Sequence, residues 1–587
     1  MAVFLFIFSL FLGAFGCFLL ALLRNGRKWL AHFWHWKCLY VISKEKHRKR
    51  LERETKDAYR IQEEILNETL LELKDTVYGK KHHFKNITDA SSFQQSHPLT
   101  DYHNYKDYIQ QISNGEENIL VQGRPLALVA TAGTSGSPST VPVTEKYATE
   151  RLMQGTMLCL EVIHSNFPGS LEKVARFSFP PKICYSKAGI PIGPYPLSTE
   201  FKLLEPLYTS RLPSHPTMST HDLLYVQILF ALKDPDLTAL EVSFSWILRQ
   251  VFYILEKEWE TIVMDIMQGG ISSELKIPQD IRQQLEKMLI PDPRRARELH
   301  AQFGNGFLGI ASRLWPKMKV VIAVYSGLDG QFLNDVPCQG IILYSPLYCT
   351  AEGLIGVNIT PSSATPQYVL CPHSAFFEFI PVETGIKEPA EIIRLQDVCV
   401  EKAYELVITN RDGLFRYRLG DVVRIVSFHN QSPILEFLYR KSQTLSVRGE
   451  NITEDEFYRI LLRTVDLWPG ATLVNYCCAE SQILGQISGG SDPHYEVFVA
   501  LKGVRDLSEE QRYKLDQVLQ EHVPLYKSFR FKGSIGPVRV YLASPKAFIS
   551  LLELSSTLSG APLESVQSPR TLRYRELAES IRKQILS

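Results

Sequence analysis

The stretch Thr131-Ala132-Gly133-Thr134-Ser135-Gly136-Ser137-Pro138-Ser139 crowds glycines and hydroxyls together. Glycine lets backbone N–H groups approach an anion closely, and hydroxyls add donors. Two readings are open: a phosphate cradle and an ordinary polar turn. The Gly-Lys-Ser/Thr ending of a P-loop is missing, which excludes the P-loop NTPase reading. Ser135 is flanked by glycine but lacks the glycine spacing of a nucleophile elbow. Two later stretches bring carboxylates. Tyr348-Cys349-Thr350-Ala351-Glu352-Gly353 holds Glu352, and Tyr417-Arg418-Leu419-Gly420-Asp421-Val422-Val423 holds Asp421. Taken singly, Glu352 reads equally as a surface carboxylate, Tyr348 as a core aromatic and Asp421 as a turn residue. No Ser/His/Asp or His/Cys constellation competes. His82-His83 and the pair His32 and His35 read as surface or interfacial residues. The cysteines form no Cys-x-x-Cys pair, so neither a zinc site nor a dithiol motif is indicated. That usage suits reduced thiols facing the cytosol.

These groups need rigid elements behind them. The apolar run Leu126-Ala127-Leu128-Val129-Ala130 reads as a buried strand feeding the glycine–hydroxyl loop. Gly340-Ile341-Ile342-Leu343-Tyr344 precedes the Glu352 stretch, and Leu414-Phe415 precedes the Asp421 stretch. Short strand-like runs alternate with longer helical patterns, which argues for an α/β body. The longest helical stretch is Leu223 to Met267, whose apolar positions read as core. Gly304-Asn305-Gly306-Phe307-Leu308-Gly309 matches the dinucleotide fingerprint formally, but it follows a helical segment and not a strand, so it is rejected. Residues 44–75 are charge-rich, with Ile61, Ile65, Leu66, Leu70 and Leu73 at helical spacing. They predict a solvated amphipathic helix leading into the body. Ser508 to Val523 predicts a helix with acidic residues early.

A chain of 587 residues is too long for one compact core. Lys plus Arg, 64, nearly balance Asp plus Glu, 63, so no nucleic-acid partner is expected. Residues 2–23 are almost wholly apolar and long enough to span a bilayer. Basic residues follow this run and none precedes it, which predicts a signal-anchor with the body cytosolic. The expected location is the endoplasmic reticulum or nuclear envelope membrane. A lumenal or secreted form after signal cleavage is the alternative. Trp29, Phe33, Trp34, Trp36 and Tyr40 read either as an interfacial segment on that membrane or as packing against the body. Five Asn-x-Ser/Thr sequons, at Asn67, Asn86, Asn358, Asn430 and Asn451, matter only in a lumenal protein.

The order of motifs is the informative feature. A glycine–hydroxyl loop, then aromatic-x-x-small-Glu, then Gly-Asp resembles the adenylate-forming enzymes of the luciferase and acyl-CoA-ligase superfamily. Within it, the chain is similar to the Gretchen Hagen family of acyl-acid–amido synthetases. Further matches are Thr76-Val77-Tyr78-Gly79, Pro98-Leu99-Thr100-Asp101-Tyr102, Leu314-Trp315-Pro316, Phe376-Phe377-Glu378-Phe379, Arg440-Lys441, Leu525-Tyr526-Lys527-Ser528-Phe529-Arg530 and Ile535-Gly536-Pro537. The resemblance implies a large adenylate-forming domain over 76–440 and a small α+β lid domain over 441–587, preceded by the anchor at 1–23 and a basic interfacial segment with a charged helix at 24–75.

It also implies ATP and Mg²⁺, a carboxylic acid that is adenylated, and an amino acid that receives the acyl group. Thr134, Ser135 and Gly136 would cradle phosphate, Glu352 would hold Mg²⁺, and Tyr348 would stack beside adenine. Asp421 would accept from the ribose hydroxyls. Thr350 stands beside the position before the glutamate, and Arg440 would lie at the hinge within reach of the nucleotide. Three cations that the family pattern carries are absent. The loop ends in Ser139-Thr140, Gly449-Glu450 is followed by Asn451, and Pro569-Arg570 is preceded by Val566-Gln567-Ser568. Removing one preorganised charge stabiliser can cost on the order of 10²–10³ in rate. Turnover therefore depends on compensation by Lys441 or Lys527, and the alternative is a catalytically weak or inactive relative at the membrane.

Overall fold

The run ahead of the glycine–hydroxyl loop is a strand, Ala127–Ala130, buried along its whole length. It pairs antiparallel with Thr140–Val143 and parallel with Pro191–Gly193. The Thr131 N–H donates to the Ser139 carbonyl at 2.8 Å, which ties the two ends of the loop together. The computed structural model describes residues 34–131, 139–180, 183–193, 204–209, 212–324, 327–363, 365–382, 391–484, 492–561, 563 and 566–587. The apolar run 2–23 and the loop residues Thr134, Ser135 and Gly136 lie outside them. Among the described residues no helix is long and apolar enough to cross a membrane.

A second sheet is wholly parallel, in the order Val174–Arg176, Ala239–Phe244, Val320–Val324, Ile342–Tyr344. Leu240, Val242, Val321 and Ala323 share a core with the helices Thr220–Lys233 and Ser245–Gln268. Val174, Ala239, Val320 and Ile322 share another with the helix Met157–Asn166. Both faces are covered, as a parallel sheet requires. This corrects the single helical stretch expected from Leu223 to Met267. Asp234-Pro235-Asp236 stops the first helix, because proline cannot continue the hydrogen-bond ladder. A buried strand then intervenes before the second helix starts.

The third sheet carries the candidate site. Its eight strands run Ile393–Arg394, Phe376–Pro381, Ala403–Thr409, Tyr417–His429, Ser432–Arg440, Tyr368–Leu370, Leu354–Val357, Leu347–Cys349, and each pairing is antiparallel. Residues 44–75 are not one solvated helix. They form Lys46–Lys56 and Ala58–Leu73, broken at Asp57. Ile61, Ile65, Leu66, Leu70 and Leu73 are buried in the core of this third sheet, beside Phe377, Phe379 and Leu406. His82 is half-buried, stacked on Tyr78 with ring centroids 4.3 Å apart, and His83 is exposed.

After Arg440 the chain builds a mixed sheet, Arg539–Leu542, Tyr495–Lys502, Thr472–Glu480, Thr571–Leu572. The predicted helix forms as Glu509–His522, with Ser508 and Gln511 in a reciprocal capping box. This C-terminal part grips the body through its own chain. Leu552, Ala561 and Val566 complete the core around Trp246, whose indole N–H donates to the Val566 carbonyl at 3.0 Å. Asp329 accepts from Arg249 at 2.8 Å and from Arg570 at 3.4 Å, with all three side chains largely buried.

Candidate functional site

Tyr348 lies on the edge strand Leu347–Cys349, and the chain reverses over Thr350–Gly353 into Leu354–Val357. The reversal is a tight turn. The Thr350 N–H donates to the Gly353 carbonyl at 2.8 Å, and the Gly353 N–H donates to the Thr350 hydroxyl at 3.2 Å. The Thr350 hydroxyl is thus spent on shaping the turn. Glu352 stands at its tip, half-buried, and its carboxylate makes no hydrogen bond or ion pair among the described residues. Its charge is felt nearby. Burial pushes the Tyr417 hydroxyl above the ordinary phenol range, and the Glu352 carboxylate adds to that rise.

Two ties from elsewhere in the chain fix this turn. The Asn410 side-chain amide donates to the Glu352 carbonyl at 2.7 Å, and the Arg151 guanidinium donates to the Ala351 carbonyl at 3.3 Å. Arg151 ends the helix Glu145–Arg151 and leads into a π-helical turn, Leu152–Thr156. Single π turns of this kind recur at functional sites. Neither tie was expected from the sequence. Asn410-Arg411-Asp412-Gly413 signals a turn between strands, but nothing in it names a partner far along the chain.

Asp421, Arg440 and Tyr348 lie together and bond to one another. Asp421 and Arg440 are cross-strand partners, and Tyr348 reaches them from the edge. Arg440 donates Nε to Asp421 Oδ1 at 2.5 Å and Nη2 to Oδ2 at 3.0 Å. The Tyr348 hydroxyl donates to Asp421 Oδ2 at 2.9 Å. Burial works against the Arg440 charge, yet Asp421 outweighs it and holds the guanidinium above its ordinary range. Burial and the Asp421 charge both push the Tyr348 hydroxyl up. A carboxylate offers about four acceptor positions. Protein donors already fill three on Asp421, which is fully buried. The Tyr348 ring packs against Tyr368 and Phe437 at centroid distances of 5.6 and 6.0 Å.

The cations that were to compensate for the missing lysines are placed differently. Lys441 donates Nζ to the buried Glu405 Oε2 at 2.6 Å, and Arg418 grips the same carboxylate at 2.9 and 2.8 Å. Burial raises the Glu405 carboxyl, but these two partners bring it below its ordinary value. Lys527 is exposed on the helix Pro524–Phe531. The glycine–hydroxyl loop leaves the same core that holds Tyr348 and Tyr417, through Leu128, Val129 and Val141.

Among the described residues no three His, Cys, Asp or Glu side chains cluster as a metal site. Mg²⁺ is commonly held by one or two carboxylates together with substrate phosphates. A half-buried carboxylate with its oxygens uncommitted, on a braced turn, fits that use. Of the five sequons, Asn67, Asn86, Asn430 and Asn451 are exposed. Asn358 is buried, and its amide donates to the Ser345 carbonyl at 3.1 Å, so that sequon is inside the fold. None of the nine described cysteines is in a disulfide.

Comparison with known proteins agrees over nearly the whole length. Family models described as the GH3 family N-terminal, central and C-terminal domains match residues 47–337, 368–440 and 456–576. A GH3 domain-containing protein of Homo sapiens is 35% identical over 583 residues, 97% of each chain. The indole-3-acetic acid-amido synthetase GH3.5 of Arabidopsis thaliana is 27% identical over 91% of this chain and 92% of its own. Among solved structures, the AtGH3.15 acyl acid amido synthetase in complex with 2,4-DB shares the fold, with a TM-score of 0.78 at 23% identity, covering 92% of this chain and 96% of that one. Motif order, sheet architecture and full-length similarity coincide, and the chain belongs to the GH3 (Gretchen Hagen) family.

Proposed function

We propose that this chain is an ATP-dependent acid–amino acid ligase. A substrate carboxylate oxygen attacks the α-phosphorus of ATP and pyrophosphate leaves. The amine nitrogen of an amino acid then attacks the acyl carbon, the acyl–phosphate C–O bond breaks, and an amide and AMP result. The observation that carries this reading is the uncommitted carboxylate of Glu352 on a braced turn, within the electrostatic reach of Arg440 in the Tyr348–Asp421–Arg440 cluster. Glu352 would hold Mg²⁺, which when bound neutralises phosphate charge. Asp421 would accept from a ribose hydroxyl, and Arg440 and Tyr348 hold its carboxylate aligned. The buried Tyr348 ring supplies an apolar wall.

A second reading is nucleotide binding with weak turnover. The engagement of Lys441 by Glu405 favours it, because that ammonium does not replace a lysine at the phosphates. Calorimetry with ATP, with and without Mg²⁺, tests the shared part. Wild type is expected to bind, Glu352→Gln to lose at least tenfold of the Mg²⁺-dependent tightening, and Asp421→Asn to weaken both titrations. Absence of binding at millimolar ATP overturns both readings. Carboxylate-dependent pyrophosphate release then separates the ligase from the weak relative.

A further inference from the structure

Glu352 is presented by a turn whose own hydrogen bonds define its shape but not its position. Position comes from outside. Asn410 is buried at the end of the strand Ala403–Thr409, in the connection to Tyr417–His429, the strand that carries Asp421. Its side chain works in two directions. Oδ1 accepts from the Asp412 N–H at 3.1 Å and the Leu414 N–H at 3.0 Å, which folds its own connection. Nδ2 donates to the Glu352 carbonyl at 2.7 Å. The backbone closes the same connection, with the Asn410 N–H donating to the Leu414 carbonyl at 2.9 Å. One amide thus joins the turn that bears Glu352 to the strand pair that bears Asp421. An amide is suited to this, because it accepts and donates on one rigid plane. A backbone carbonyl deprived of a buried donor is free to rotate toward water, and the carboxylate rotates with its peptide.

We infer that Asn410 is a positioning residue that sets the Glu352 carboxylate relative to Asp421, so that the metal-binding and ribose-binding ends of the site keep one spacing. This rests on the nucleotide reading above. Arg151 shares the load at the preceding carbonyl, so the turn is held at two consecutive peptides from two different elements.

The test uses the full-length chain and the variant Asn410→Asp. Ionised, a carboxylate there keeps both accepted bonds and loses the donated one; burial favours the protonated form, which can still donate, so the titrations are run at about pH 8.5. ATP affinity is measured by calorimetry with and without Mg²⁺, and amide hydrogen exchange is followed at Gly353 in the nucleotide-free protein. The expected result is a loss of tenfold or more confined to the Mg²⁺-dependent tightening, Mg²⁺-free affinity within twofold of wild type, and faster exchange at Gly353. A general structural defect would instead weaken both titrations equally, and that outcome overturns the inference. So does an unchanged Mg²⁺ dependence with unchanged Gly353 exchange. If Asn410→Asp does not fold, Asn410→Ser is read in the same way, since its hydroxyl is too short to reach the Glu352 carbonyl. If wild type binds no ATP, the nucleotide reading falls and takes this inference with it. Faster exchange at Gly353 in the variant would then mark Asn410 as a brace of the turn alone.

Discussion

Asp412 shows how a single side chain in this site records its surroundings. Burial pushes its carboxyl up from 3.8 to about 7, although hydrogen bonds from Thr144 and the charge of Arg151 pull the other way. Between those two values the folded state keeps a proton that the unfolded chain has released. Stability therefore falls as pH rises through this window, by about 1.4 kcal/mol per pH unit, and is flat above it. Asp412→Asn removes the titration. The unfolding free energy of the variant relative to wild type is expected to move in the variant's favour between pH 4.5 and 7.5, measured by urea melts across pH. A wild-type to variant difference that stays constant with pH refutes the assignment. The same side chain sits two positions from Asn410, and between them Arg411 pairs with Glu150.

At the level of elements, the connection 410–414 is constrained by Gly413 as much as by Asn410. Its φ is +90°, and a Cβ there would meet the Leu120 carbonyl oxygen at 2.7 Å. Gly413→Ala is expected to destabilise the protein by at least about 1–2 kcal/mol from the left-handed backbone alone. Thermal unfolding checks this; an unchanged midpoint would show that the connection adapts freely. The contrast with what the sequence disclosed is instructive here. The strand Ala127–Ala130 was legible because it is short, apolar and followed by a glycine-rich loop. The helix Glu509–His522 was legible because Ser508 and Gln511 form a local cap. The strand Ala239–Phe244 was not: Leu240-Glu241-Val242-Ser243-Phe244 alternates apolar and polar residues, but the run is short and apolar helical patterns flank it on both sides. Tyr348, Asp421 and Arg440 were singled out by resemblance, but the bonds among them were not foreseen. The hold of Asn410 on Glu352, and the diversion of Lys441 to Glu405, come from pairing across distant strands, which no local pattern encodes.

For the molecule as a whole, Asp329 is one point where the C-terminal part is fastened to the body. One buried carboxylate holds Arg249 from the body and Arg570 from the C-terminal sheet, and Arg570 also lies over the Tyr476 ring at 4.8 Å. Asp329→Asn removes the carboxylate that two buried guanidinium groups share, which costs on the order of 3 kcal/mol. Limited proteolysis of the variant is expected to release a C-terminal fragment faster than wild type; identical digestion patterns would refute this role. The seating of Leu552, Ala561 and Val566 around Trp246 also bears on synthesis. Strands and helices up to residue 324 leave the ribosome with that part of their core still open, and it is sealed only after more than two hundred further residues have been translated. Until then Trp246 lacks those three neighbours and the acceptor of its indole N–H, so the partly built core exposes apolar surface during synthesis, the condition under which nascent chains aggregate.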